Sequence, residues 1–302
     1  MPSWRELLDI LCKTAEIPPD KKKLLQKLDF CDYAQISKED LQSKDLDLNT
    51  EIAKIIKSKT YSLTHALLAC WNVANAVIQN YDDMYEQATA DSSGKNVAVI
   101  PYKIDSGSER WLLKMHGCVH WPNDIVLTRD DYHNYEMHRQ ALSGVVQTLM
   151  MTKHMLILGF SVTDEHFNDL AFTLRKAVEG MERNETLGTV VTLLPDVVRS
   201  QLWRNDLSFF SACADKNASL SEAARDLEIL LDYIGAFANN SMDFLFDTQM
   251  DPLLDDQSIA LRDGLNKLMK EICTDDNSPV VDDFLDVLIN RYGYNEDKES
   301  EA

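Results

Sequence analysis

Three short polar clusters, each directly after an apolar run, hold the residues of this 302-residue chain best suited to chemistry. The first is Gln79-Asn80-Tyr81-Asp82, after Ala76-Val77-Ile78. The second is His116-Gly117, after the run from Trp111 to Met115, and the third is Gly159-Phe160-Ser161, followed at a short distance by Asp164. An asparagine amide can orient a water or a hydroxyl. A histidine, with an ordinary pKa of about 6.5, can take a proton at neutral pH, and a carboxylate can stabilise positive charge. Each residue also has a plainer role: strand-ending Asn and Asp form turns, a single His is commonly structural, Gly159 permits close packing, and Ser161 and Asp164 can cap a helix. The argument for a site lies in three such clusters recurring in one context.

That context is set by the elements around them. The apolar runs at residues 76–78, 97–102, 111–115, 154–160 and 187–194 are too short for helices and read as buried strands. Between them, residues 63–71, 82–88, 135–151 and 163–181 read as helices, the second of which places Asp82 and Glu86 on one face. Strands alternating with helices predict an α/β fold, with a mostly parallel sheet covered on both sides. In such a sheet ligands bind beyond the carboxyl ends of the strands, so all three clusters are expected at one edge.

Ahead of this region, Ser3 and Glu6 have capping-box spacing, and Trp4, Leu7, Leu8 and Leu11 share a helical face. Pro18-Pro19 ends that helix, and residues 21–58 read as two or three more amphipathic helices. Beyond Pro195 the pattern turns helical, with segments at 220–237, 258–272 and 280–289. The expected organisation is an α/β domain over 1–195, its end and a connecting helix over 196–240, and an acidic helical extension over 241–302.

Charge and cysteine usage narrow the function classes. The net charge is −20, and residues 241–302 supply a surplus of 11 acidic residues. Nucleic acid is therefore not an expected partner, because phosphate binding rests on Lys and Arg displacing counterions. No apolar stretch approaches the roughly 18–20 residues that span a bilayer, and the N-terminus has no signal-peptide pattern, so neither membrane nor secretory route is expected. Cys12, Cys31, Cys70, Cys118, Cys213 and Cys273 are widely spaced, which predicts reduced thiols, a cytoplasmic compartment with the nucleus left open, and no structural zinc. His116 and His120 stand four apart, but in a strand-to-loop setting that does not put them on one face, and no metal is expected there. His133 and His138 read as surface residues.

Taken in order, the clusters resemble the sirtuin-like (silent-information-regulator-like) domains of NAD-cleaving defence proteins. The resemblance rests on Gln79-Asn80-Tyr81-Asp82 with Glu86, Lys114-Met115-His116-Gly117, Ile125-Val126-Leu127-Thr128 with Asp131-Tyr132, and Leu158-Gly159-Phe160-Ser161 with Asp164. With Pro2-Ser3-Trp4 it covers roughly residues 2 to 195. It implies a Rossmann-like core that takes NAD as substrate and hydrolyses it to nicotinamide and ADP-ribose. By the same resemblance Asn80 and His116 are catalytic, Asn80 positioning water at the nicotinamide ribose and His116 acting as general base. Gln79, Asp82, Gly117, Gly159, Phe160, Ser161 and Asp164 bind NAD, Asp82 at the nicotinamide end and Gly159 and Ser161 at the adenosine half.

Two departures from the family qualify this. Deacylating members carry a four-cysteine zinc module, which has no counterpart here, so hydrolysis is expected ahead of NAD-dependent protein deacylation. Members also begin with a strand and a G-A-G-x-S loop that leads into G-x-P-S-W. This sequence starts at the Pro-Ser-Trp, and its first glycine is Gly94. The resemblance thus implies an N-terminally truncated domain that binds NAD weakly and has exposed sheet edges, and an inactive interaction module is the alternative. Homo-oligomer formation stays open.

Overall fold

The computed structural model describes residues 2–71, 73–93, 97–104, 108, 110–160, 162, 164–177, 186–238, 245–246, 254–272 and 279–292. The chain divides into a unit over Met1–Tyr233 and a second over Ile234–Ala302.

The first unit opens with four helices, α1 (Trp4–Thr14), α2 (Pro19–Leu25), α3 (Phe30–Gln42) and α4 (Leu48–Ile56). The capping box at the start of α1 is formed in full: the Ser3 side chain accepts from the Glu6 amide, and Glu6 accepts from the Ser3 amide. Asp29 and Asp47 cap α3 and α4 in the same sense, each accepting from amides of the first turn. These helices bury Leu7, Leu8 and Leu11 of α1, Tyr33 and Leu41 of α3, and Leu48, Ile52 and Ile56 of α4. The i, i+4, i+8 spacing of the α4 trio puts its apolar groups on one stripe. Tyr81, Cys118, Val119, Ile125 and Leu127 join the same cluster, so this helical layer packs onto the loops that carry the candidate site.

After α5 (Leu63–Cys70), the α/β core runs β1 (Asn75–Ile78), α6 (Met84–Ser93), β2 (Ala98–Ile100), β3 (Trp111–Lys114), α7 (Arg129–His133), α8 (Tyr135–Thr152), β4 (Met155–Leu158), α9 (Glu165–Ala177), β5 (Gly188–Thr192), α10 (Val197–Leu202) and β6 (Leu207–Ser211). α11 (Leu220–Ala238) follows. Every strand pairing is parallel, with the orders β1-β3-β2 and β4-β5-β6. The expected parallel, Rossmann-like α/β core with flanking helices is present, but its described strands form two three-stranded sheets instead of one. β1 and β4 are edge strands of their respective sheets, and Leu156 of β4 is exposed.

One apolar cluster draws on both sheets: Leu113 and Met115 meet Val190 and Leu207, together with Phe167, Leu170, Ala171 and Leu174 of α9. The spacing of the α9 residues is that of a single buried face.

Two expectations need correcting. β6 and α10 lie in the segment expected as the end of the α/β domain, ahead of the helix at 220–237, where no strand is expected, because Leu207-Ser-Phe-Phe-Ser is a strand pattern too short to stand out beside the long helical periodicities. The helix expected from Asp82 starts at Met84, so Asp82 sits in the loop ahead of α6 and shares no helical face with Glu86. The second unit holds α12 (Asp256–Ile272) and α13 (Pro279–Tyr292), which are the expected C-terminal helices. Among the described residues, no helix is long and apolar enough to cross a membrane.

Candidate functional site

Neighbouring parallel strands set the first two clusters side by side. Ile78 of β1 is in register with Lys114 of β3, and the Met115 amide donates to the Ile78 carbonyl at 3.0 Å. Asn80 and His116 therefore each stand two residues past the last pair of adjacent strands. Asn80 is exposed, whereas His116 is only 2% exposed.

The loop that carries His116 is bolted from several sides. Its carbonyl accepts from the Val126 amide at 2.9 Å. The preceding carbonyl, that of Met115, accepts from Tyr135 Oη and Arg139 Nη1, both at 3.0 Å. Arg139 also reaches the Asp124 carboxylate at 3.2 Å and is itself buried. The imidazole lies edge-on to Tyr132 and Tyr135, with ring centroids 5.6 and 5.8 Å away. This burial lowers the His116 pKa to about 4, because the charged form loses its hydration; Asp164 opposes the shift and His166 and Arg139 add to it. The ring is neutral at physiological pH and can accept a proton.

The third cluster reaches the same place although its strand belongs to the other sheet. Asp164, ahead of α9, accepts from the Phe167 amide at 2.9 Å, from Tyr132 Oη at 3.0 Å and from Gln79 Nε2 at 3.4 Å. The last contact joins the loop after β1 to the loop after β4. Asp164 thus serves as helix cap and as link between clusters, and the structure brings Gln79, His116 and Asp164 together.

Of the other predicted residues, Asp82 is buried and its carboxylate accepts from the Met84 amide at 3.2 Å, as a helix-initiating turn does. Phe160 packs edge-to-face on Phe167 at 4.9 Å. Ser161 lies outside the described residues. His120 pairs with Asp83 at 2.9 Å.

Gly117 and Gly159 both have positive φ, +102° and +61°, the region that favours glycine. They differ in their surroundings. A Cβ at Gly117 would stand 2.5 Å from the Asp124 carbonyl oxygen, whereas one at Gly159 would meet nothing within 4 Å among the described residues. Gly117→Ala should therefore cost about 3 kcal/mol or more, combining backbone strain with overpacking, and Gly159→Ala about 1–2 kcal/mol from backbone alone. Urea denaturation of the two variants checks this, and equal losses would contradict it.

Several contributors went unread in the sequence. Lys114, fully buried two residues before His116, places its ammonium 2.9 Å from Glu86 and against the Asp82 carbonyl. His166 sits on the buried face of α9, with His116 at 6.1 Å between ring centroids. The buried face of α9, continued back by one residue from Phe167, was the signal available for His166. Nothing local marks Lys114, Tyr135 or Arg139, because their partners lie on other elements.

A nearby depression of about 290 Å³, lined by Asp124, Asn134, Tyr135, His138 and Arg139, backs onto the His116 loop but includes neither Asn80 nor His116.

Parallel strands that bring an asparagine, a buried histidine and a helix-capping carboxylate together beyond their carboxyl ends put the candidate site where ligands bind in open α/β sheets. Residues 76–206 match the SIR2-like domain, and the chain carries such a domain there. It is similar to the defense-associated sirtuin 2 of Bacillus subtilis, at 30% identity over 37% of this chain and 12% of that protein. It is also similar to the NAD(+) hydrolases ThsA of Acinetobacter baumannii, at 24% identity over 60% of this chain and 37% of that protein, and of Enterococcus faecium, at 27% over 58% and 37%. The chain thus spans well under half the length of these relatives.

Proposed function

We propose that the SIR2-like domain hydrolyses NAD at the bond between nicotinamide and ribose, with Asn80 and His116 as catalytic residues. The observation that carries this reading is the placement of Asn80 and a neutral, buried His116 two residues beyond a register pair of adjacent parallel strands. The similarity to NAD(+) hydrolases supports the choice of substrate.

The reaction breaks the C1′–N bond through an oxocarbenium-like state and adds water, releasing nicotinamide, ADP-ribose and a proton. Such a state asks for positioning and charge stabilisation more than for a strong nucleophile. Asn80, exposed at the strand end, orients the water. His116 takes the proton from that water or from a ribose hydroxyl, held in place by the Tyr135 and Arg139 bonds to the Met115 carbonyl. Asp164, tied to Tyr132 and Gln79, keeps a negative charge beside the imidazole and favours the protonated ring as it forms. Gly159 and Phe160 flank the adenosine half. Glycine at 159 leaves backbone open for close approach, and among the described residues nothing occupies the space its side chain would fill.

The test is product analysis of NAD incubated with the purified chain, in parallel with an Asn80→Ala variant. Nicotinamide and ADP-ribose formed in equal amounts, and reduced at least about 100-fold in the variant, would support the reading. Equal, background-level release by both folded proteins would reject it. Transfer of an acyl group from a peptide to ADP-ribose would point to deacylation instead.

A further inference from the structure

From the side chains around His116 we infer that the site also binds a divalent transition metal of the zinc class, through His116, Asp164 and His166. Ligand atoms of the three lie within 4.8 Å of one another. His116 Nε2 is buried and meets no hydrogen-bond partner among the described residues. A buried polar atom without a partner is costly, and a cation supplies the partner it lacks. Two imidazoles and one carboxylate are a donor set suited to zinc, with a fourth position left for water.

The supporting shell fits as well. Ser143 Oγ stands 3.0 Å from His166 Nε2, so that nitrogen is engaged and the metal would take Nδ1. Tyr132 Oη holds one oxygen of Asp164 at 3.0 Å. Ligating histidines and carboxylates are commonly fixed by such outer contacts. Zinc bonds of about 2.0–2.2 Å need donor separations of roughly 3.4 Å, and the three donors already lie within 4.8 Å of one another. Any remaining gap is small enough for side-chain rotation of the half-buried Asp164 and of the two rings to close.

Metal binding does not depend on the NAD reading, but its consequence rests on it. A lone pair of His116 committed to zinc is no longer available to the proton, so occupancy and hydrolysis exclude one another.

The experiment titrates zinc chloride into the chelator-treated 302-residue chain, reading binding by calorimetry and unfolding temperature by circular dichroism. One equivalent should bind and raise the unfolding temperature. Because loss of an outer contact alone weakens metal sites 10- to 100-fold, His166→Gln should weaken binding at least about 100-fold. His120→Gln, outside the cluster, should bind as the parent does. Cobalt(II) added to the parent should give the visible absorption of a four-coordinate ion, a readout that needs no variant to fold. Absence of that absorption, or undiminished zinc binding by folded His166→Gln, would overturn the inference. Zinc binding without NAD turnover in metal-free protein would leave the metal site standing and remove the hydrolase reading. Turnover unaffected by a bound equivalent of zinc would overturn the claimed exclusion.

Discussion

Lys114→Met is expected to lower the unfolding free energy by about 3–5 kcal/mol, the usual cost of breaking a buried ion pair by removing one partner. The Lys114 side chain is wholly buried, with its ammonium 2.9 Å from Glu86 Oε1 and bonded to the Asp82 carbonyl. Glu86 has one oxygen, Oε2, that is buried without a hydrogen-bond partner among the described residues, and burial raises its pKa even with the lysine beside it. Without the cation, Glu86 must either stay charged in a poorly hydrated place or take up a proton, and both are costly. The Asp82 carbonyl would also lose its partner.

Urea unfolding followed by circular dichroism measures the loss. Lys114→Met combined with Glu86→Leu should recover most of it, since replacing both charges with apolar groups is often neutral or stabilising. A single-variant loss under about 1 kcal/mol would mean that the pair behaves as a solvated surface bridge. The consequence for the site is direct. Lys114 lies two residues before His116 and Asp82 two after Asn80, so this cation ties together the two loops that carry the proposed catalytic pair.

The second large effect belongs to His116 itself. His116→Ala should reduce NAD turnover by about 10²- to 10⁴-fold, the range typical for a lost general base. The effect should fall on kcat more than on KM, because the imidazole acts on a proton in flight. The metal-free parent should also show a distinctive pH response. His116 has its folded pKa lowered to about 4, below the unfolded value of 6.5. Above pH 6.5 both states are neutral and the group adds no pH dependence. As pH falls from 6.5 toward 4 the unfolded chain takes the proton first, so stability declines through that window, by about 3 kcal/mol in all. Unfolding curves taken across the window should show this slope, and His116→Ala should flatten it. A parent whose stability is level from pH 7 to 4 would contradict the burial argument.

What the sequence determined by itself was local. The capping box at Ser3 and Glu6, the short strands at 75–78 and 111–114, and the stripe of α9 each depend on residues close in the chain, whose periodicity and caps are legible without knowledge of the fold. The polar clusters after β1, β3 and β4 could be read for the same reason, because a strand end is a local feature and its place in a parallel sheet follows from general topology. Tertiary structure alone decided what those clusters touch. It split the strands into two sheets and still joined Gln79 to Asp164 across them. It made Lys114 a buried cation against Glu86 and the Asp82 carbonyl, and set His166 beside His116. These outcomes depend on packing between residues far apart in the chain, such as Lys114 with the Asp82 carbonyl, 32 positions away, and Gln79 with Asp164, 85 positions away, and the energies of burial and hydrogen bonding that fix them have no signature in local spacing.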